Sequence, residues 1–149
     1  APVNELERVI SSRGAEFRQP GLRLEREGFD ALAAVRVLGT PAELTFVFDN
    51  LLGNALRAVR GEDEAMIRVA AARSGGSATV TIEDTGKGIA SSEHKHVFAR
   101  GVSEKGGGHG LPRSREILER RGGSIALVRS APGEGAAFEV KLKVVLDDV

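Results

Sequence analysis

The chain of 149 residues contains no cysteine, no tryptophan and no tyrosine. Without cysteine it has neither a disulfide framework nor a thiolate metal site, as is usual for a cytoplasmic protein. Lysine plus arginine and aspartate plus glutamate both number 21, so no net charge indicates nucleic acid or an anionic membrane as a partner. No apolar run approaches the roughly 20 residues of a membrane span, and the N-terminus lacks a signal-peptide core. We therefore expect a cytoplasmic domain without membrane contact.

The length and the hydrophobic content indicate an ordinary globular domain. Hydrophobic residues make up 41% of the chain, which suffices for a core, and the length predicts one domain over 1–149. The opening Ala1–Asn4 does not resemble a natural start, so we expect a piece of a longer protein. We expect the isolated domain to be a monomer.

The hydrophobic pattern predicts an α+β protein with two layers. The element order is α-β-β-α-β-β-loop-α-β-β, and the loop between 86 and 110 is long, glycine-rich and therefore a functional candidate. The expected elements are a helix over 3–18, strands over 22–29 and 33–39, a helix over 41–60, strands over 65–72 and 77–83, a helix over 112–123, and strands over 124–130 and 136–146.

The helix over 41–60 has clear start and stop signals. Thr40 is a suitable N-cap, Pro41 occupies the first turn and Glu43 completes a capping box; Gly61 ends the helix. Its apolar stripe predicts a face packed on a sheet, and consists of Leu44, Val47, Leu51, Ala55 and Ala58.

Asn50 and Asn54 lie on one face of that helix, with Arg57 one turn further. Asparagine is a modest helix former, so two on one face need a reason. One interpretation is a solvated polar face. The other is a cation site, in which amide oxygens bind Mg²⁺ while Arg57 contacts phosphates.

Asp84 ends an alternating strand and is followed by Gly86 and Gly88. The glycines allow close approach of backbone to a flat ligand, and the carboxylate can accept from an exocyclic amine such as that of adenine. A plain turn explains the same residues equally well. Neither a Walker loop nor a dinucleotide fingerprint is present.

Four ordered motifs together resemble the ATP-binding catalytic domain of sensor histidine kinases. They are "NLLGNA" (50–55), "DTGKGI" (84–89), "FARGVSEK" (98–105) and "GHGL" (108–111). The family belongs to the GHKL ATPases, with gyrase-type topoisomerases, mismatch-repair ATPases and heat-shock chaperones. The resemblance implies the Bergerat fold, in which three helices cover one face of a mixed, mostly antiparallel sheet of about five strands, with an ATP lid over about 89–110.

The resemblance also implies a role for each matched residue. Asn54 would coordinate Mg²⁺ on the ATP phosphates, with catalytic Asn50 near the same metal. Arg57 would reach a phosphate, and Asp84 would accept from the adenine amine. The remaining contacts would come from Gly86, Gly88 and Ile89 around the base, from Phe98, Ser103 and the catalytic Lys105 in the lid, and from Gly108, His109, Gly110 and Leu111 at the phosphates.

The implied reaction is transfer of the γ-phosphate from ATP to a histidine on a separate dimerisation domain of the same protein. A response regulator would act downstream, in a two-component system. His94 and His96 do not fit the acceptor pattern, and exposed loop histidines explain them better than a metal pair does.

Four positions depart from the family pattern. His109 replaces a leucine and Pro112 falls at the following helix start, which changes the lid geometry more than it removes binding. Arg121 stands where many members have histidine. Ala136-Ala137 stands where a threonine commonly helps to bind adenine, so that contact would rest more heavily on Asp84.

Two other functions remain open at this point. One is an anti-sigma-factor type of serine kinase, which would need an acidic residue at or near Asn50. The other is a degenerate nucleotide-binding domain that serves as a docking surface, since the glycine string is altered. A gyrase-type or chaperone-type ATPase fits least, because Asn50 stands where those enzymes have a catalytic glutamate.

Overall fold

The computed structural model describes residues 1–86, 110–130 and 135–145. Most of the predicted lid lies outside these ranges. The expected roles of several candidate site residues therefore remain predictions from sequence, namely those of Gly88, Ile89, Phe98, Ser103, Lys105, Gly108 and His109.

The described elements follow the predicted order closely. They are α1 (Pro2–Ser12), α2 (Gly14–Phe17), β1 (Leu22–Glu27), a 3-10 helix (Phe29–Leu32), α3 (Pro41–Val59), β2 (Ala65–Ser74), β3 (Ser77–Asp84), α4 (Gly110–Arg120), β4 (Ser124–Ser130) and β5 (Ala136–Lys143).

The strands form one mixed, five-stranded sheet in the order β1-β2-β3-β5-β4. β1 pairs with β2 in parallel, and the other pairs are antiparallel. Buried residues alternate along β2 and β3, so one face of the sheet carries the core and packs against α3 and α4, while α1 packs against α3. This confirms the predicted fold class.

The predicted strand over 33–39 is wrong. The structure has the 3-10 helix just before it, and only an isolated bridge between Val37 and Val144. Within this segment Val35 is buried but Leu38 is exposed, so the apolar residues that suggested a strand do not form one buried face. A short apolar run does not by itself distinguish a strand from an irregular segment.

Two helix boundaries also differ from prediction. The helix expected over 3–18 is divided at Arg13, which has φ −103° and ψ 19°, and Gly14 follows the break, where a residue with low helix propensity is easily accommodated. The last helix begins at Gly110, two residues before the expected start. Pro112 is buried in its first turn, which proline tolerates because those N–H groups have no helical partner.

α3 has the predicted start and the predicted apolar face. The Glu43 backbone N–H donates to Thr40 Oγ1 at 3.1 Å, and the Thr40 N–H donates to Glu43 Oε1 at 2.9 Å. Of the predicted stripe only Ala58 is half-buried; Leu44, Val47, Leu51 and Ala55 are buried. The capping box and this face together fix α3 across the centre of the sheet.

None of the helices in the described part of the chain is both long and apolar enough to cross a membrane.

Candidate functional site

α3 carries three of the predicted site residues on one face. Asn50 and Asn54 are half-buried and Arg57 is exposed. An Arg57 guanidinium nitrogen donates to the side-chain oxygen of Asn54. The spacing of one turn between the two asparagines therefore holds in the structure, and the arginine lies beside them.

Gly110 lies directly against Asn50. A Cβ atom at Gly110 would stand 2.2 Å from Asn50 Nδ2 and 2.3 Å from Oδ1. Only glycine permits this approach, because real Cβ atoms do not come so close. The N-terminus of α4 thus meets the first asparagine of α3, and a helix N-terminus favours anions through its unpaired N–H groups and its dipole.

The Asn50 side chain has a polar atom without a partner. Its Nδ2 is buried and makes no hydrogen bond within the described ranges. A buried amide nitrogen left unpaired costs about 1–3 kcal/mol, so such groups occur where something else supplies the acceptor. Its position at the N-terminus of α4 is suited to a bound anion. We call Asn50, Asn54, Arg57 and Gly110 the helix end of the site.

Asp84 ends β3 on the face that packs against the helices. It follows the buried Ala78, Val80 and Ile82 in strict alternation and is itself only 5% exposed. Burial raises the pKa of the Asp84 carboxyl, opposed by hydrogen bonds from the backbone N–H groups of Gly86 and Ala136.

The carboxyl of Asp84 is held in place but not saturated. Its Oδ1 accepts from the Gly86 N–H at 2.8 Å. A carboxylate offers about four acceptor positions, so capacity remains for a further donor. The neighbouring Thr85 fixes the strand end, since its Oγ1 accepts from the Met66 N–H at 2.9 Å.

Gly86 brings this strand end against α3. A Cβ atom there would stand 2.4 Å from the Ala58 carbonyl oxygen and 2.6 Å from its carbon. Ala58 lies eight residues after Asn50, which corresponds to about 12 Å along a helix. We call Asp84 and Gly86 the sheet end of the site, and one face of α3 connects it to the helix end.

The two ends offer complementary chemistry. The sheet end presents a buried acceptor for an amine, whereas the helix end presents amide and guanidinium groups beside a helix N-terminus. Across the described segments, no cluster of three or more histidine, aspartate or glutamate side chains could hold a metal ion. A metal at the asparagines would therefore need further oxygen ligands from a bound anion.

Leu111 lies in the first turn of α4, and Arg121 lies directly after its last residue. Leu111 is half-buried and packs against the core. Arg121, a departure from the family pattern, forms a salt bridge to Glu43 Oε1, with Nη2 at 2.8 Å and Nε at 2.9 Å. It thereby ties the end of α4 to the capping box of α3.

Sequence reasoning missed one contact to α3. Arg13 Nε lies 2.6 Å from Asp49 Oδ1, and Arg13 Nη2 lies 3.2 Å from Oδ2. The two residues are 36 positions apart, so no local pattern indicated the pair. A glycine in the middle of a helix indicates a close contact, and Arg13 does lie against Gly53.

The chain is similar to several known proteins. Residues 39–146 match the family described as histidine kinase-, DNA gyrase B-, and HSP90-like ATPase. The chain is 42% identical over 102 residues to the alginate biosynthesis sensor protein KinB of Pseudomonas aeruginosa, covering 66% of this chain and 17% of KinB. It is 37% identical over 137 residues to the sensor histidine kinase ZraS of Escherichia coli O157:H7, covering 91% and 28%. The chain thus spans less than a third of these relatives.

Solved structures share the fold at low sequence identity. The catalytic domain of histidine kinase ThkA superposes with a TM-score of 0.78 at 21% identity, over 94% of this chain and 90% of that one. Full-length ShkA in complex with AMPPNP gives 0.78 at 20% identity, over 97% and 30%. Since the family match covers most of the sequence, the chain belongs to the histidine kinase-, DNA gyrase B- and HSP90-like ATPases.

Proposed function

We propose that this domain binds Mg·ATP between Asp84 and Asn50 and presents the γ-phosphate to a histidine on a separate dimerisation domain. One observation carries the proposal: Asn50 Nδ2 is buried without a partner in the described structure, at the N-terminus of α4. Further along α3, the Ala58 carbonyl meets Gly86, whose N–H donates to the buried carboxyl of Asp84. An amine-bearing base joined to a chain of phosphates matches both ends.

The sheet end would recognise adenine. The carboxyl of Asp84 would accept from the exocyclic amine, while the backbone N–H groups of Gly86 and Ala136 hold it in position. A base with an oxygen in place of the amine would leave the buried acceptor unpaired, which supports selection of adenine over guanine. Ala136 and Ala137 are both buried beside it and have no hydroxyl to share this task.

The helix end would bind the phosphates. Asn54 and Asn50 would hold Mg²⁺ through amide oxygens and Arg57 would contact a phosphate. Gly110 lets the Asn50 amide lie at the α4 N-terminus, where phosphate oxygens would bind. The metal ion, when bound, neutralises phosphate charge during transfer. The domain's own residues position the nucleotide and exclude solvent, and none of them acts as the nucleophile.

The partners follow from the family. ZraS and its relatives are sensor histidine kinases, so the histidine acceptor would lie on a dimerisation domain of the same protein, with a response regulator as the next recipient. A cytoplasmic location suits a domain that uses ATP. Lys105, Phe98 and Ser103 would close over the nucleotide as parts of the lid, with Lys105 neutralising phosphate charge.

Nucleotide titration tests the binding part of the proposal. A fluorescent ATP analogue should bind the wild-type chain with a micromolar dissociation constant in the presence of Mg²⁺. GTP should displace it far less well than ATP. Asn54→Ala should remove most of the dependence on Mg²⁺ and leave the circular dichroism spectrum unchanged. Equal competition by ATP and GTP would contradict the assignment of Asp84.

A transfer assay tests the reaction. The chain is mixed with γ-³²P-labelled ATP and a separately expressed dimerisation domain from a relative such as ZraS. We expect label on the acceptor that is stable to base and labile to acid, as a phosphohistidine is. Label on a serine would indicate the serine kinase alternative, and binding without transfer to any dimerisation domain would support a docking role.

A further inference from the structure

Gly53 lies in the middle of α3, where glycine is unfavourable. Relative to alanine it costs about 1 kcal/mol in a helix interior. A Cβ atom at this position would stand 2.9 Å from Arg13 Nη2 and 3.2 Å from Arg13 Cζ. The absence of a side chain at Gly53 therefore allows the Arg13 guanidinium to pack against α3 at this position.

At this position beside Gly53, Arg13 binds two carboxylates. Nε and Nη2 form a bidentate pair with Asp49, at 2.6 and 3.2 Å, and Nη1 lies 3.0 Å from Glu16 Oε1. The Arg13 side chain is 22% exposed, whereas those of Asp49 and Glu16 are 46% and 45% exposed. Bidentate geometry fixes the direction of the Asp49 carboxylate.

Asp49 directly precedes Asn50 in α3. Gly53, on which Arg13 rests, lies one residue before Asn54. Arg13 contacts the acidic side chains of Asp49 and Glu16. It therefore touches the residue directly before each asparagine, Asp49 before Asn50 and Gly53 before Asn54.

We propose that Arg13 is a positioning residue for nucleotide binding: it neutralises Asp49 and holds that carboxylate away from the asparagines, so that no unpaired negative charge repels the phosphates. This inference rests on the proposed function, since it requires phosphates at the helix end. Arg13 itself is occupied by two carboxylates and does not need to contact the nucleotide.

Removal of the Arg13 charge should weaken phosphate binding in particular. Arg13→Gln leaves Asp49 unpaired beside Asn50, and we expect about fivefold weaker binding of Mg·ATP at low salt. The loss should be smaller for ADP and absent for adenosine, because the repulsion scales with the charge of the ligand. It should also shrink as salt is added.

A second substitution separates charge from structure. In Arg13→Gln with Asp49→Asn the unpaired carboxylate is gone, so Mg·ATP binding should return to within about twofold of wild type. If Arg13 served only to tie the end of α1 to α3, the double variant would bind no better than the single one. That result would overturn the proposal even if both variants remain folded.

Gly53→Ala tests the packing of Arg13 against Gly53. The Cβ would displace the Arg13 guanidinium, while alanine favours the helix. We expect an unchanged or higher melting temperature together with weaker Mg·ATP binding. Glu16→Gln is the matched control, because it removes the Arg13 partner that belongs to α2 rather than to α3, and it should leave binding within about twofold.

The outcomes separate the two proposals. If the wild-type chain does not bind Mg·ATP at all, the proposed function fails. If wild type binds and Arg13→Gln binds ATP, ADP and adenosine like wild type, the proposed function stands and the role of Arg13 is disproved.

Discussion

The sheet end and the helix end of the site are built in opposite ways. At the sheet end, Asp84 is a buried carboxyl whose position is set by backbone N–H groups of Gly86 and Ala136 and by the strand register. At the helix end, Asn50 has a buried nitrogen without a partner in the described residues. Arg57 there is exposed and, within the described ranges, donates to the Asn54 side chain.

This difference suits the division of tasks that we propose for the site. Hydrogen bonds in a sheet hold an acceptor rigidly, as recognition of a base requires. Side chains between two helices can move by small amounts, as binding of phosphates and a metal requires. We therefore expect substitutions at the sheet end to act on specificity and on the fold. Those at the helix end should act on affinity with little change in the fold.

The largest expected effect is on ligand binding at the sheet end. Asp84→Asn places a donor opposite the amine of adenine, and we expect binding of Mg·ATP to weaken about 100-fold. Titration with a fluorescent ATP analogue measures the change. Glu83→Gln is the matched control, because Glu83 lies on the opposite face of β3 with Arg129 and should bind like wild type. Tight binding by Asp84→Asn would refute the adenine assignment.

Gly86→Ala should damage the fold. The new Cβ would meet the Ala58 carbonyl at 2.4 Å, and backbone atoms of α3 cannot yield as a flexible side chain does. We expect the free energy of unfolding to fall by about 2 kcal/mol, measured by urea denaturation. Gly76→Ala in the hairpin is the control, since nothing lies within 4 Å of its Cβ position. Equal stability of the two variants would mean that the strand end moves freely.

Gly110→Ala should show the contrast at the helix end. The three atoms nearest to the Cβ would be those of the Asn50 side-chain amide, at 2.2 to 2.6 Å, and that amide can rotate away. We expect stability within about 0.5 kcal/mol of wild type but about tenfold weaker Mg·ATP binding, because Asn50 leaves its position. A large loss of stability instead would show that the helix end is as rigid as the sheet end.

Ser114→Ala should stabilise the protein. The Ser114 hydroxyl is fully buried in α4 and has no partner among the described atoms. Removing it should raise the free energy of unfolding by about 1 kcal/mol, seen as a higher urea midpoint with an unchanged slope. Nucleotide binding should not change, in contrast to Asn50. Weaker binding by this variant would assign the hydroxyl to the site.

The smallest effect concerns pH. Burial raises the pKa of Asp84 in the folded protein above its ordinary value of 3.8, so the folded state binds the proton more tightly than the unfolded state does. Stability from this group is therefore present at low pH and declines as pH rises from 3.8 through the folded pKa. Urea unfolding across this range should show the decline in wild type relative to Asp84→Asn. Parallel curves would mean that Asp84 is not desolvated.

The sequence predicted most of the fold because its signals were local. The capping box of Thr40 and Glu43 and the hairpin at Gly75–Gly76 are confirmed, since each depends on residues a few positions apart. The strand expected over 33–39 is wrong because a short apolar run does not distinguish a strand from an irregular segment with one buried residue, here Val35. Two features of the site were predictable from helical and strand periodicity alone: the spacing of Asn50 and Asn54 along one helix face, and the position of Asp84 at a strand end.

What the sequence determined by itself was therefore the elements, the family and the types of residue at the site. The tertiary structure decided which of them meet: Gly110 against Asn50, Gly86 against the Ala58 carbonyl, and Arg13 against Asp49 and Gly53. These contacts join residues 28 to 60 positions apart in the chain. Periodicity carries no information over such separations, because packing of α3 between its neighbouring elements brings them together.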